Sequence, residues 1–215
     1  MSAARTALFA APVFLAACAS LSGGGPTEYS ARDYGLLSLG GTVDGPVGPA
    51  VEASWVWQGD SLGDLTGRVD CPAGTDPCDP RAEGEATVYT YVYRVTPGND
   101  AINDDPFPRP EIVRRFDDVT VFATSFAPPG FTGIAGYSFG EAEAALGAGG
   151  GFRIERRPDD GGLTFRAEGR SEPWGTGETI TFFYQSTQPP KGPAGGFLLE
   201  GGGYKASGVG PVPMD

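Results

Sequence analysis

The chain has 215 residues, with 27 Asp and Glu against 15 Lys and Arg, and a formal net charge of −12. A surface this acidic repels nucleic acid and anionic lipid headgroups, so the composition argues against binding to either. The chain also contains no histidine, which removes the usual general base of serine hydrolases and the commonest metal ligand.

The first 17 residues have the form of an export signal. Arg5 is their only charged residue, and the apolar run that follows is too short to span a bilayer. It ends in Leu15-Ala16-Ala17-Cys18, which resembles the lipobox of bacterial lipoproteins. The resemblance implies lipidation of Cys18 and attachment to a membrane. Because Ala19 is not the aspartate that retains such proteins in the inner membrane, it further implies the outer membrane, on its periplasmic or cell-surface side. An ordinary signal peptide with a chance cysteine is the alternative.

The rest of the chain is predicted to be all-β. Residues 18–30 are expected to be a flexible tether, residues 31–208 a single antiparallel β-sandwich, and residues 209–215 a frayed tail. The 35 Gly and 20 Pro fall mainly between runs with strand-like alternation, which indicates turns. One short surface helix is predicted near 140–147. Strands are predicted at 51–58, 86–96, 119–126, 152–156, 163–167 and 179–185, with weaker signals at 36–39 and 197–200.

In the strand at 179–185, alternation places Ile180, Phe182 and Tyr184 on one face, which is expected to meet the core. Phe183 lies on the more polar opposite face and needs partial cover.

Cys71 and Cys78 are predicted to form a disulfide. They flank six residues that include Pro72, Gly74 and Pro77, and an exported protein folds in an oxidising compartment. Half of a metal site is the alternative, which the absence of histidine and of a second cysteine pair disfavours.

Gly136 to Gly140 match the G-x-S-x-G spacing of a hydrolase nucleophile, with Ser138 at the centre. The motif needs a base and a parallel α/β sheet, and the sequence offers neither. A lysine base is conceivable, but Lys191 and Lys205 lie in Gly- and Pro-rich surroundings. We therefore expect Ser138 to end a strand and cap the short helix, and we expect no catalysis from it.

Paired acids at Glu141 and Glu143 and at Asp117 and Asp118 raise the alternative of a carboxylate-dependent glycan hydrolase, which needs two acids flanking one bond. No spacing forces either pair into a cleft, and solvated acids are the favoured interpretation.

Two acidic loops could bind calcium, one at residues 70–79 and one at 99–105. Oxygen ligands close together in sequence suit Ca²⁺, although neither loop has EF-hand spacing. Asp100, Asn103 and Asp105 are the preferred ligands, and no other cofactor is expected. Ordinary turn chemistry explains the same residues.

Aromatic rows could instead bind a polysaccharide. Trp55 and Trp57 share one face of a strand, and Tyr89, Tyr91 and Tyr93 share a face of another. The tyrosines are the better candidates for an exposed sugar platform, while a buried aromatic core gives the same pattern.

The second half of the chain carries a family resemblance. GFTGIAGYSFGEAEAALG, FRIERRPDDGGLTF and EPWGTGETITFFYQSTQPPKGP occur in that order, and 177–187 followed by Pro189 and Pro190 is the most telling stretch. Residues 86–213 are similar to exported β-sandwich domains of the PEP-CTERM class of Gram-negative bacteria. The chain lacks that class's Pro-Glu-Pro motif, apolar helix and basic tail. The resemblance implies a secreted or surface domain and supplies no catalytic residues.

Together these features predict a non-catalytic, surface-tethered structural or adhesive lipoprotein. A carbohydrate-binding module is the alternative, and a glycan hydrolase is the third hypothesis. The oligomeric state is not predicted.

Overall fold

A computed structural model describes residues 25–43, 51–102, 104 and 107–215. The described residues form thirteen strands, a 3-10 turn at Tyr34–Leu36 and a single α-helix, α1, at Phe139–Leu146. The predicted all-β class with one short helix is confirmed. In chain order the strands are β1 (Thr27–Tyr29), β2 (Arg32–Asp33), β3 (Leu39–Thr42), β4 (Val51–Trp57), β5 (Asp60–Pro72), β6 (Tyr89–Pro97), β7 (Val119–Thr124), β8 (Phe131–Tyr137), β9 (Gly151–Arg156), β10 (Leu163–Glu168), β11 (Ile180–Ser186), β12 (Pro190–Gly201) and β13 (Tyr204–Pro213).

The strands form one hydrogen-bonded sheet in the order β1-β9-β10-β7-β12-β13-β4-β5-β6-β11-β8-β2, with β3 paired to β5. Every pairing of these strands is antiparallel except the short parallel contact of β2 with β8. The first and last strands of this order are neighbours in sequence, since only Ser30 and Ala31 separate β1 from β2. The sheet therefore curls until its two ends meet at the N-terminal segment.

The inner face of the curled sheet is filled by aromatic side chains. Phe122 lies at the centre, with its ring centroid 4.8 Å from that of Phe182 and 6.2 Å from that of Trp55. Burying each ring removes a large apolar area from water, which makes this cluster the main source of stability. The largest fully buried side chains are Trp55, Trp174, Tyr91, Tyr93, Tyr184, Phe116, Phe122, Phe165, Phe182, Phe183, Phe197 and Leu62.

Strand β11 has the predicted orientation and lies inside the sheet, between β6 and β8. Ile180, Phe182 and Tyr184 all belong to the core cluster. Phe183 is buried too, on the opposite face, with its ring centroid 6.1 Å from that of Tyr34. The 3-10 turn thus supplies the cover that Phe183 required.

Both predicted ends of the domain need correction. Residues up to Pro213 lie in β13, where Val212 is buried and Pro190 pairs with Pro213, so the tail at 209–213 is not frayed. At the other end, β1 begins at Thr27, within the predicted tether, because its backbone pairs with β9. The signal peptide and Cys18 lie outside the described residues.

Among the residues that the structure describes, no helix has both the length and the apolar character needed to cross a membrane.

Candidate metal centre

The pairing of β4 with β5 places two polar side chains side by side. Ser54 lies opposite Asp64, one position along from the pair of Ala53 and Leu65. Ala53 and Leu65 are buried, and Leu65 belongs to the core cluster. Because successive strand residues point to opposite faces, Ser54 and Asp64 lie on the outer face of the sheet.

The chain that follows β6 covers this outer face, and we call its described residues, 98–102, 104 and 107–116, the covering segment. The amide of Gly98 donates to the carbonyl of Leu62 at 2.7 Å, which fixes its beginning. Further along, the amide of Ser61 donates to Ile112 O at 2.8 Å and the amide of Arg114 donates to Ser61 O at 2.9 Å. Backbone hydrogen bonds to β5 therefore hold the segment at both ends.

Between these anchors, the covering segment brings Asp100 and Asp104 to Asp64. One oxygen from each of the three carboxylates lies within 4.8 Å of the other two. Asp100 is only 7% exposed and Asp104 only 4% exposed, so bulk water does not solvate them freely. This is the only group of three acids in such proximity among the described residues.

Few hydrogen-bond donors reach these carboxylates. The hydroxyl of Ser54 lies 3.0 Å from Asp100 Oδ2 and 2.5 Å from Asp104 Oδ2, but it can donate its one hydrogen to only one of them at a time. The Oδ1 atoms of Asp64, Asp100 and Asp104 are buried and accept no hydrogen bond from any described residue. An unsatisfied buried carboxylate oxygen is costly, because its hydration is lost without replacement.

One positive side chain lies beside the cluster. Arg109 places Nε 3.5 Å from Asp100 Oδ2, and its Nη2 donates to the backbone carbonyl of Asp100 at 3.0 Å. One guanidinium against three carboxylates leaves a formal charge of −2. That charge matches a divalent cation.

The electrostatics of the cluster resist full ionisation. Burial, followed by the charges of Asp100 and Asp104, raises the pKa of Asp64 to about 6. Burial is also the largest cause that raises the pKa of Asp100, and the hydroxyls of Ser61 and Ser54 oppose it. Ionised Asp64 and Asp100 are therefore held at a cost in free energy, which a cation beside them would reduce.

The ligand chemistry of the cluster fits calcium. Ca²⁺ prefers carboxylate and other oxygen ligands at about 2.3–2.6 Å, so two oxygens on one ion lie at most about 5 Å apart. The separations of the three carboxylates fall inside that limit.

The loop at residues 99–105, where calcium was predicted, supplies two of the three acids of the cluster. Asp100 belongs to the cluster, whereas Asn103 and Asp105 lie outside the described residues. No local pattern singles out Asp64, which only the pairing of β4, β5 and β6 brings beneath the covering segment. In the second acidic loop, Asp70 accepts hydrogen bonds from Thr42 and Arg68, which satisfy it as a side chain of the sheet.

The aromatic rows do not form a sugar platform. Tyr89, Tyr91 and Tyr93 are buried in the core cluster, so the prediction that they bind a ligand from solvent is wrong. Their hydroxyls explain why tyrosine is tolerated there: Tyr91 donates to Gln188 O at 2.9 Å, and Tyr93 donates to Pro211 O at 2.7 Å. Trp55 is also buried, and Trp57 packs edge-on against Tyr204.

Ser138 is the N-cap of α1. Its backbone is extended, with φ −73° and ψ 110°, and its hydroxyl accepts a hydrogen bond from Glu141 N at 3.4 Å. The strand before it, β8, pairs antiparallel with β11 along its length and parallel with β2 over only two residue pairs. Both features match the predicted strand and cap, and they differ from the parallel sheet of a nucleophile elbow.

The paired acids have separate structural partners. Glu141 accepts a hydrogen bond from Thr181 N at 2.7 Å, while Glu143 is exposed on α1. Asp117 accepts from Thr176 N at 3.1 Å, and Asp118 pairs with Arg170. Neither pair of acids therefore converges on a shared cleft in which two carboxylates could flank one glycosidic bond.

The predicted disulfide between Cys71 and Cys78 is present, with a Cα–Cα distance of 5.7 Å. It closes the loop at the end of β5, and both cysteines are buried.

Comparison with known proteins finds no family model that matches this chain, and no curated protein or solved structure matches it significantly. The fold and the carboxylate cluster are therefore the basis for inferring function.

Proposed function

We propose that the protein is a lipid-anchored module of the bacterial outer membrane that acts as a structural or adhesive component and has no catalytic activity of its own. The observation that best supports this proposal is the distribution of the three cysteines. Cys71 and Cys78 are joined to each other, which leaves Cys18, at the end of the lipobox-like sequence, as the remaining thiol.

The disulfide supports export, because such bonds persist in oxidising compartments and are rare in the cytosol. The position of the first strand supports anchoring near a membrane. Eight residues, 19–26, separate Cys18 from β1, and they can reach at most about 25–30 Å when fully extended. The domain would therefore remain close to the bilayer surface.

The filled interior supports a structural or adhesive role. The aromatic rings that line the curled sheet pack against one another, so this space acts as a core. The described surface also holds Glu141, Asp117 and Asp118 in separate hydrogen bonds and ion pairs. A rigid body on a short tether suits display or spacing at the envelope.

Membrane fractionation of cells that produce wild-type protein or Cys18→Ser tests the anchor. The wild-type protein should sediment with outer membranes and incorporate labelled palmitate, and Cys18→Ser should lose both properties. A Cys71→Ser/Cys78→Ser double variant is the matched control, since it replaces the other two cysteines without touching the lipid site. Wild-type protein that is fully soluble, cleaved after residue 17 and free at Cys18 would overturn the proposal.

The role itself is tested by complementation. In a strain that lacks the protein, wild type should restore envelope integrity or surface attachment, and Cys18→Ser should not. Glu141→Gln and Asp117→Asn should restore it as well as wild type does. Loss of a glycan-hydrolysing activity in either variant, with the fold intact, would instead favour an enzyme.

A further inference from the structure

We propose that Asp64, Asp100 and Asp104 form a calcium site that fastens the covering segment to the outer face of β4 and β5. This site is independent of the lipid anchor and of any catalytic activity.

The first argument is the deficit of hydrogen-bond donors. Each of the three carboxylates has a buried Oδ1 that no described residue satisfies. Asp104 is the strongest case, because it is 96% buried and its other oxygen receives only the hydroxyl of Ser54. Buried polar atoms in folded proteins nearly always have partners, so three unsatisfied oxygens in one place indicate a shared ligand.

The second argument is charge. Asp64, Asp100 and Asp104 carry −3 when ionised, and Arg109 compensates one unit from its place beside Asp100. Three carboxylates that approach within 4.8 Å repel one another strongly where water is excluded. A divalent cation between them converts that repulsion into attraction.

The choice of calcium follows from the ligand type. All the ligands are hard oxygen atoms, which disfavours zinc and copper, since these ions select imidazole and thiolate. Magnesium requires near-ideal octahedral geometry at shorter distances and keeps much of its water, which suits a mostly buried cluster poorly. Calcium tolerates irregular sets of six to eight oxygens, so solvent or backbone oxygens can complete its coordination.

The site joins parts of the chain that lie far apart in sequence. Asp64 is in β5, and Asp104 follows it by 40 positions, in a segment whose backbone is bonded to the sheet near Gly98 and near Ile112. An ion between them would fasten the middle of that segment. Calcium should therefore slow amide exchange in residues 98–116 more than in the core strands.

The experiment uses the full-length protein in detergent after removal of metal with EDTA. Calorimetric titration with CaCl₂ should show one site in the range of about 10⁻⁴–10⁻³ M that extracellular calcium modules display. At saturating calcium the melting temperature should rise by about 5–10 °C. MgCl₂, and NaCl at equal ionic strength, should have much smaller effects.

Three variants locate the site. Asp64→Asn and Asp104→Asn preserve shape and should remove most of the calcium-dependent shift in melting temperature. Glu143→Gln removes the same charge from an exposed position on α1 and should keep the full shift. Hydrogen exchange with and without calcium should show added protection of the covering segment in wild type and in Glu143→Gln only.

Several results would overturn the proposal. If calcium, magnesium and sodium raise the melting temperature equally, the cations merely screen the acidic surface. The same conclusion follows if calcium raises the melting temperature of wild type and of all three variants equally. A higher melting temperature of Asp64→Asn without metal, together with no calcium effect on wild type, would mean that the acids share protons instead. If both amide variants fail to fold, the absence of a binding heat and of a calcium shift in wild type still refutes the site.

Discussion

The interior of the curled sheet is filled by aromatic rings, whereas the covering segment over β4 and β5 is lined by carboxylates. In the interior, the polar atoms of the tyrosines find protein partners, as when Tyr93 donates to Pro211 O at 2.7 Å. Under the covering segment, Asp100 and Asp104 share the one hydroxyl of Ser54, and Arg109 lies beside Asp100. The Oδ1 atoms of Asp64, Asp100 and Asp104 have no hydrogen-bond partner among the described residues.

This contrast separates two sources of stability. The sheet owes its cohesion to apolar burial, which acts without any added component. The connections between strands depend in addition on discrete links: the backbone hydrogen bonds of the covering segment, the disulfide at the end of β5 and the cap of α1. Removing a whole aromatic ring from the interior should therefore cost more than the loss of any one link, and the following predictions test that ranking.

Phe182→Ala should have the largest effect. Phe182 is fully buried, and its ring lies 4.8 Å from Phe122 and 4.9 Å from Phe152, measured between centroids. Loss of transfer free energy and creation of a cavity should lower the free energy of unfolding by about 3–5 kcal/mol. Urea denaturation measures the change.

Thr181→Ala is the control for this prediction, because Thr181 lies next to Phe182 in β11 and points to the opposite face. It is also buried, but it carries far less apolar surface. A larger loss of stability in Thr181→Ala than in Phe182→Ala would mean that the outer face contributes more to stability than the aromatic interior.

Removing the disulfide should have the next largest effect. A Cys71→Ala/Cys78→Ala variant should lose roughly 2–3 kcal/mol, because the unfolded chain regains the entropy of a short closed loop. Denaturant melts of the oxidised protein and the double variant give the difference. The slope of the transition should stay nearly constant if only the loop is affected.

The same variant also tests whether the disulfide loop contributes less to the free energy of unfolding than a buried aromatic ring does. Peptide mapping without reductant should show the two cysteines linked. Two free thiols in protein purified without reductant, or a double variant that does not fold at all, would contradict the view that this loop is a local link.

Tyr93→Phe should cost about 1–2 kcal/mol at neutral pH. The substitution keeps the ring but removes the hydroxyl that donates to Pro211 O, which leaves a buried carbonyl without that partner. Thermal or urea unfolding measures the loss. A stability equal to wild type would show that the interior depends on apolar contacts alone.

The buried tyrosines also predict a pH dependence. Burial is the main cause that raises the pKa of Tyr91, Tyr93 and Tyr184 above the usual value of 10.0. The unfolded chain then loses these protons first, so stability should be complete below about pH 10 and should fall as pH rises further. Tyr93→Phe should fall less steeply. In an absorbance titration at 295 nm, ionisation of these tyrosines should coincide with unfolding.

The strands were predictable where side chains alternate and are β-branched or aromatic. The run around Tyr91 in β6 and the run around Phe182 in β11 are of this kind. In β11 the inner face was assigned correctly, whereas in β6 the tyrosines were favoured as an exposed platform and are buried. Alternation therefore locates a strand, but it assigns the buried face only where one set of residues is clearly the more apolar.

Strand β13 was not predicted, because its glycines and prolines are typical of turns. In the structure, Gly208 faces the interior, and a Cβ at that position would lie 2.8 Å from the ring of Trp55. Only glycine fits at this position, because the ring of Trp55 fills the volume that a side chain would occupy. Trp55 lies in β4, which is far from β13 in sequence but next to it in the sheet. Sequence patterns do not show such a long-range constraint.

The carboxylate cluster was predictable only in part, for a similar reason. Asp100 stands in a visibly acidic loop, but Asp64 is one acid among the many that alternate with apolar residues in strands. The register of β4 with β5, and the path of the covering segment, decide that Asp64 meets Asp100. Neither is encoded in local spacing.

Ser138→Ala should have the smallest effect of these changes, a loss of about 0.5–1 kcal/mol, since the hydrogen bond from Glu141 N is long at 3.4 Å. The residue also distinguishes a cap from a nucleophile. Ser138→Asn keeps a side-chain oxygen that accepts from the helix amide, but it has no hydroxyl to attack an ester. If Ser138 only caps α1, Asn should restore the stability that Ala loses, and all three proteins should show the same absence of ester hydrolysis. Urea melts and a chromogenic ester assay measure the two properties side by side. An esterase activity present in wild type and lost equally in Ala and Asn, with Asn as stable as wild type, would make Ser138 a catalytic residue despite its antiparallel setting.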